Sequence, residues 1–340
     1  EFWGWKIKDF SNATLQGGVH SLSIALKLNV FEGYQKEHIL EVINSAILAV
    51  EKISAKNGSV VEAYPGENSF CVTALVAFDV LSAIKYLDND LTVNQKDKYF
   101  DIIRPLVGFI TKHGEEHAII SNHLATGVAA IALWNYLAND INSRDKELLQ
   151  IIYDNQSDEG WYLEYEGADP GYQTLCTYYL FCTYKITKDK KLLESLRGSA
   201  KFLSHFIHPD GTIGGLYGSR NTEVFYPAGI IGLCDEIEEF RMIAKHLKPE
   251  DQHLLPQNID IGNYIPLLNS YAVAALFYEE NAIKIENCKL EPFYKREGEK
   301  VFPKTGIYIY SNKNYFSIVN YKKGGTVKLF NKHTNQLDIE

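Results

Sequence analysis

The 340-residue sequence is short of methionine, of cysteine and of positive charge, and each shortage excludes something. Met242 is the only methionine, so Glu1 is no translation start and the chain is expected to be processed or trimmed. Its opening, EFWGWKIKDF, has neither the charged n-region nor the apolar h-region of a signal peptide. The compartment is therefore open: periplasmic or secreted if a leader has been removed, cytoplasmic otherwise. The five cysteines, Cys71, Cys176, Cys182, Cys234 and Cys288, are odd in number and scattered. None forms a CxxC or Cys/His pair with zinc spacing, and four sit in apolar helical patterns, where cysteine acts as a small buried hydrophobe. The longest apolar run, around Ala129–Trp134, falls far short of the ~18 residues that span a bilayer. Lys and Arg number 34 against 43 Asp and Glu, a net charge of −9. That excludes a general nucleic-acid binder, which needs a basic face to displace counterions. A small anion-binding pocket stays compatible with it.

Several signatures are also missing. There is no GxSxG elbow, P-loop, HExxH or aspartate-rich motif of the terpenoid-cyclase kind. The glycines of GIIG and GTIGG follow no strand pattern, so no dinucleotide site is indicated. His113 and His117 are spaced i, i+4, but Gly114 falls between them at a helix end. No metal and no cofactor are expected. The sequence does not set the oligomeric state.

What is present is a well-supplied core, 46% hydrophobic and 13% aromatic. The first 285 or so residues read as helices of two alternating kinds. One kind is apolar nearly all round: His20–Val30, Asn68–Leu87, Ser121–Leu137, Gly171–Ile186, Val224–Ile237 and Ile265–Tyr278. The other is amphipathic and charged: Gln35–Lys56, Val93–His113, Ser143–Asp154, Lys190–His205 and Glu238–Leu247. Helices apolar on every side must be buried on every side, while the charged ones show a face to water. His20, Phe70, His123, Tyr172, Tyr226 and Tyr271 recur at spacings of 50, 53, 49, 54 and 45 residues. Two helices and two connections fill that length. The pattern predicts an all-α-dominated α/α toroid, six hairpins or an incomplete ring, over 1–290. A helical bundle or open solenoid is the competing architecture.

From 291 to 340 the alternation changes to that of strands: Gly306–Tyr310, Tyr315–Tyr321 and Thr326–Phe330, separated by SNKN and KKGG turns. Three short strands make no independent sandwich. They are expected to form a short antiparallel segment that packs on the helices or begins a larger β-domain.

The loops entering the apolar helices are long and rich in Gly, Tyr, Asn and acid: VVEAYPGENS, HGEEHAIISNH, DEGWYLEYEGADPGY, DGTIGGLYGSRNTEVFY and LPQNIDIGNYIP. In a toroid they share one rim, where functional residues concentrate. Asn122 and His123 are one candidate pair, readable also as a helix cap and a core histidine. Tyr162, Glu164, Tyr165, Asp169 and Tyr172 crowd one loop, although Asp169-Pro170 also reads as a helix start. Arg220, Asn221 and Glu223 follow glycines that permit close backbone approach. His20, Glu67 and Asn68 complete the ring, and Trp161, Tyr217, Tyr226 and Tyr264 join the expected substrate-binding set.

The Asn122-His123 pair in SNHLATGVAAIAL, the DEGWYLEYEGADPGYQT run ending at Tyr172, and the GIYIY…YKKGG segment resemble polysaccharide lyases of the heparinase II/III-like and alginate-lyase-like group. The resemblance implies a helical toroid in which an Asn and a His hold a uronate carboxyl group and a Tyr near the glycosidic oxygen moves the proton. It also implies a large C-terminal β-sandwich, for which about 40 residues remain here. The partner it implies is an acidic oligo- or polysaccharide.

The chemistry asks for the same residue types. β-Elimination removes the proton beside a carboxylate, so donors such as Asn122, His123 and Arg220 must take up the gathering charge. A preorganised donor of this kind is worth about 10²–10³ in rate. Tyr172 would serve as base and then as acid, helped by cationic neighbours. Competing readings are a glycoside hydrolase using Glu164 and Asp169, an epimerase, and a non-catalytic carbohydrate-binding or polysaccharide-assembly protein.

Overall fold

The computed structural model describes residues 3–4, 11–64, 66–248, 255 and 257–340. Most of the opening EFWGWKIKDF, Pro65 of the first long loop and Pro256 of the last lie outside the described residues. Among the described residues a short strand pair, β1 (Trp3–Gly4) with β2 (Ser11–Asn12), precedes eleven α-helices: α1 (Gly18–Lys27), α2 (Lys36–Ile53), α3 (Phe70–Tyr86), α4 (Val93–Lys112), α5 (Ser121–Ala138), α6 (Arg144–Asn155), α7 (Pro170–Thr187), α8 (Lys190–Leu203), α9 (Pro227–Gly232), α10 (Glu238–His246) and α11 (Ile261–Glu286). Odd-numbered helices are the apolar set and even-numbered ones the charged set, in the predicted alternation. α3 and α7 bury nearly every side chain from Phe70 to Ile84 and from Pro170 to Tyr184.

The helix starts follow from local chemistry. Thr92 and Gln95 form a reciprocal capping box on α4. Ser69 caps α3 by accepting from the Val72 N–H at 3.2 Å, and Asp169 with Pro170 opens α7. The five register residues from His20 to Tyr226 fall within three residues of a helix start, but Tyr271 lies well inside α11. α11 begins earlier than predicted because Asp260 accepts from the Asn263 N–H at 3.1 Å, so Tyr264 is helical rather than on a loop. α9 is shorter than predicted, ending at Gly232. A Cβ on Gly232 would stand 2.2 Å from the Phe181 ring, so this glycine lets α9 lie directly against α7.

The chain divides into two compact units. The first comprises 1–117, 123–149 and 254–276. In it α3 packs on α1 and α4, and α2 on α1 and α4. A buried pair, His20 Nδ1 and Asp79 Oδ1 at 2.9 Å, lies between Phe78 and Tyr86 rings. The second unit comprises 118–122, 150–253 and 277–340. Here α7 packs on α8 and α9, and α10 on α8 and α9.

The second unit also carries a five-stranded antiparallel meander, β3 (Gly298–Phe302), β4 (Ile307–Ser311), β5 (Tyr315–Asn320), β6 (Thr326–Asn331) and β7 (Gln336–Ile339), in chain order. The three central strands match the predicted ones within a residue. The outer two escaped prediction because GEKVF and QLDI are short and half charged or polar. The sheet packs on α8 and the segment that follows it in its own unit: Phe302 meets Phe202 and Phe206 at 5.0 and 5.6 Å between ring centroids. His208 stacks on Phe330 at 4.7 Å. Among the described residues no helix is long and apolar enough to cross a membrane.

Candidate functional site

Three of the long loops converge in the second unit. Residues 119–121 and 163–165 run antiparallel, with the Ser121 N–H on the Leu163 carbonyl at 3.0 Å and the Tyr165 N–H on the Ile119 carbonyl at 3.1 Å. This pairing sets Glu164 against the first turn of α5. Its Oε1 accepts the Asn122 backbone N–H at 2.9 Å and its Oε2 the Asn122 Nδ2–H at 2.7 Å. The helix cap is therefore a glutamate 42 residues downstream, and Asn122 is a donor rather than the cap. A carboxylate is favoured at a helix N-terminus, where unpaired N–H groups concentrate positive potential.

The third loop is fastened by Asp169. Its Oδ1 accepts the Tyr172 N–H at 2.9 Å, while its Oδ2 accepts the Arg220 N–H at 2.9 Å and the Thr222 N–H at 3.4 Å. A Cβ on Gly218 would stand 2.6 Å from Asp169 Oδ2, so only glycine leaves room for that carboxylate. Ser219 Oγ donates to the Glu164 carbonyl at 3.0 Å. Asp169, Gly218 and Ser219 thus fix where Arg220 departs from the backbone.

The Arg220 guanidinium lies over the Tyr172 ring, Cζ 4.0 Å from its centroid, and 5.0 Å from that of Tyr165. Its Nη1 is 4.0 Å from Glu164 Oε2, too long for a hydrogen bond, and this buried nitrogen has no other hydrogen-bond partner. At that separation and an effective dielectric near 20 the attraction is about 4 kcal/mol. Withdrawing such charges from water costs several kcal/mol each. Burial prevails: Glu164 is fully buried, and its carboxyl is pushed up to about 8 against the opposing pull of Asn122 and Arg220. Burial raises Asp169 as well, against its three backbone donors.

The structure thus joins Asn122, Glu164, Tyr165, Asp169, Tyr172 and Arg220 in one network. Asn221 adjoins it, with Oδ1 accepting from Lys323 Nζ. Other predicted residues of this unit serve its interior. The Tyr162 hydroxyl meets Ser195 Oγ at 2.8 Å, and Trp161 Nε1 donates to Glu159 at 2.8 Å. Tyr217 OH meets His208 Nε2 at 2.8 Å and accepts the Gly214 N–H at 2.9 Å. Tyr226 is buried, its N–H on Thr174 Oγ1 at 2.8 Å. Glu223 is exposed instead, with Lys328 Nζ at 3.5 Å.

The remaining predicted residues belong to the first unit. His123 is partly exposed and pairs through Nδ1 with Glu115 Oε2 at 2.6 Å. Burial works against the Glu115 charge, but the bond and charge of His123, with His117, hold that carboxyl below its usual range. Glu67 staples its own loop, accepting the Glu62 and Ala63 N–H groups at 2.8 Å each. Asn68 accepts from Ser59 Oγ at 2.7 Å. His20 is held by Asp79, and Tyr264 lies in α11. His113 ends α4 and stacks on Phe109 at 4.3 Å. Among the described residues no three His, Cys, Asp or Glu side chains are grouped to hold a metal ion.

Lys323 is the site-adjacent residue that sequence reasoning missed. From the β5–β6 turn its Nζ donates to the Gly218 carbonyl and to Asn221 Oδ1, tying the sheet to the loop that carries Arg220. A KKGG turn reads only as a turn, and no local pattern links it to a loop a hundred residues earlier.

No family model matches the sequence, and no curated protein matches it. Solved structures do. A chondroitin AC lyase of Streptomyces coelicolor A3, in complex with chondroitin sulphate, matches 94% of this chain and 49% of its own at 10% identity and a TM-score of 0.62. A Paenibacillus xanthan lyase matches 99% of this chain and 35% of its own at 11% identity and a TM-score of 0.59. A cellobiose 2-epimerase of Bacillus thermoamylovorans B4167 matches 79% of this chain and 88% of its own at 10% identity and a TM-score of 0.57. The chain spans about half the length of the first of these and about a third of the second. At such identity the likeness shows the fold: an all-α-dominated α/α toroid with a short C-terminal antiparallel β segment, shared with polysaccharide lyases.

Proposed function

We propose that this chain is lyase-like and cleaves an acidic, uronate-containing polysaccharide by β-elimination, with Tyr172 moving the proton and Arg220 and Asn122 neutralising the carboxylate. The observation that carries the reading is the Arg220 guanidinium 4.0 Å over the Tyr172 ring with Nη1 lacking a hydrogen-bond partner. A phenol and an unsatisfied cation side by side suit a substrate that offers an acidic C–H next to a carboxylate. Fold likeness to two polysaccharide lyases supports the reaction class without fixing it.

In this reaction Tyr172 starts as the phenolate, and its oxygen takes the C5 proton to become the phenol. The C–H electron pair becomes the C4–C5 double bond, the C4–O4 bond breaks, and O4 leaves with its electron pair. Tyr172 then returns a proton to O4. Arg220 serves twice, opposing the charge gathered on the substrate carboxylate and that left on the phenolate. Glu164 acts through others: it holds the Asn122 carboxamide in one orientation and faces the guanidinium.

One observation favours a second reading. A buried carboxyl pushed up to about 8 keeps its proton at neutral pH, as the general acid of a glycoside hydrolase must. The partner carboxylate counts against it, because both oxygens of Asp169 are occupied by backbone N–H groups.

The test is incubation with alginate, polygalacturonate, hyaluronan and chondroitin sulphate. β-Elimination gives an unsaturated product absorbing in the far ultraviolet. Tyr172→Phe is expected to lower kcat by about 10²–10⁴, the worth of a positioned proton-transfer group. New reducing ends without that absorbance, dependent on Glu164, would select the hydrolase. Binding without turnover would leave a carbohydrate-binding protein.

A further inference from the structure

We propose that Tyr165 is a sugar-stacking platform beside Arg220, held for that purpose in a backbone conformation ill suited to an aromatic residue. The proposal rests on reading this site as one for acidic glycans, and it names a specificity-determining residue within it.

The argument starts from the backbone. Seven non-glycine residues among those described have left-handed φ: Asn29, Asn68, Asn139, Asn221 and Asn335, with Lys188 and Tyr165. Asparagine tolerates this region through its short polar side chain. Lys188 is the C-cap of α7, a common place for it. Tyr165, at φ 59°, has neither reason. It is the first residue of a two-residue hairpin loop, flanked by Glu164 and Gly167. Those two exchange N–H···O bonds of 2.9 and 3.4 Å. Glycine, asparagine and aspartate suit that position because φ is positive there. A tyrosine costs strain, and strain of this kind persists at functional sites where the surroundings impose it.

The side chain gains little from the fold in return. Tyr165 is 42% exposed, against the full burial of Tyr162 three residues earlier. Its backbone N–H, on the Ile119 carbonyl, would be made by any residue but proline. What the ring has is Arg220, whose Cζ is 5.0 Å from its centroid and whose Nη1 lacks a hydrogen-bond partner. A uronate residue matches this pair in both parts. One face of its ring is a sheet of C–H groups that packs on a phenol by dispersion and apolar burial. The carboxylate at its edge accepts from a guanidinium.

A ring that merely shields Arg220 from water would explain the contact but not the exposure, and the two ideas part experimentally. The probes are tetrasaccharides from alginate, polygalacturonate and hyaluronan, with cellotetraose as the neutral control. Calorimetric titration gives Kd, and thermal unfolding gives the midpoint. Tyr165→Asn is expected to leave the midpoint unchanged or raise it, since Asn suits the turn, and to weaken uronate binding about tenfold. Tyr165→Phe is expected to bind as the wild type does, since the face and not the hydroxyl is used. In turnover the Tyr165→Asn loss should appear in KM, with kcat within about threefold of wild type.

The platform is overturned if Tyr165→Asn binds the uronate tetrasaccharides as tightly as wild type. It is also overturned if the midpoint falls by several degrees, which makes the ring a structural prop. Wild-type protein that binds none of the uronate probes, or binds cellotetraose equally well, overturns it too. Binding that depends on Tyr165 without turnover sustains the platform and sinks the lyase reading. Turnover with an unchanged Kd in Tyr165→Asn does the reverse.

Discussion

Asn122 gives both its backbone N–H and its Nδ2–H to the two oxygens of the Glu164 carboxylate, at 2.9 and 2.7 Å. One side chain thereby caps α5 and fixes an amide at the edge of the candidate site. Removing Glu164 would take an acceptor from two buried donors, a loss of about 1–3 kcal/mol each. Glu164→Ala is expected to lower stability by about 3 kcal/mol or more once the cavity is included. Denaturant unfolding measures it, and a loss under about 0.5 kcal/mol would contradict the network.

The same carboxyl makes stability pH-dependent. Its ordinary value of 4.5 rises to about 8 in the folded chain, so over that range the native state holds a proton that the unfolded state has released. Stability from this group is complete below about pH 4.5 and is lost as pH rises through about 8, with a slope of at most about 1.4 kcal/mol per unit. Asp79, raised by burial from 3.8 to about 6, has the same sign but finishes earlier. Between about pH 6.5 and 8 a loss of up to about 2 kcal/mol is expected from Glu164, beyond the range in which Asp79 contributes. Glu164→Gln should flatten the unfolding midpoint over that interval, and a slope kept in Glu164→Gln would assign the effect elsewhere.

How much of this was legible in the sequence divides by range of interaction. Helices with every side apolar, such as Phe70–Tyr86 and Pro170–Thr187, announce their burial, and Asp169-Pro170 announces a helix start. The alternation of buried and charged helices carried the fold class. Asn122, Glu164, Tyr172 and Arg220 were each visible as unusual loop residues, but not their pairing. That a glutamate 42 residues away caps α5 depends on strand-like pairing of residues 119–121 with 163–165, which has no local signature. Tyr162, Tyr217 and Tyr226 look the same in sequence as Tyr172, and only the fold distinguishes a hydroxyl bonded to His208 or Ser195 from a ring that lies under a guanidinium. The start error at α11 came from a capping side chain, Asp260 on Asn263.

Lys323 gives the sheet a hold on the Arg220 loop through the Gly218 carbonyl and Asn221 Oδ1. Hydrogen bonds from a charged donor contribute about 1.5–3 kcal/mol at best, less where water competes. Lys323→Met is expected to destabilise the chain by about 1 kcal/mol while loosening residues 218–222 much more. Hydrogen exchange of those amides is the discriminating measurement. Faster exchange confined to that loop supports the tether, whereas unchanged exchange shows that Asp169 suffices to hold it.

Arg220 separates charge from shape. Its planar group lies over one tyrosine ring at 4.0 Å and near a second at 5.0 Å, while Nη1 stands 4.0 Å from Glu164. A lysine would keep the charge but lose the stacking plane and the forked donors that match a carboxylate. Because lysine keeps the charge beside Glu164 and Arg220 makes no hydrogen bond there to lose, Arg220→Lys should change stability by less than about 1 kcal/mol. If the guanidinium takes up charge as the proton leaves, kcat on the uronate polymer should fall by about 10²–10³. A variant that keeps half the wild-type rate would mean that any cation serves, and Arg220 would then be a binding residue with no special hold on the transition state. A variant that loses both rate and fold would instead place the guanidinium among the structural groups, and circular dichroism beside the kinetics distinguishes the two.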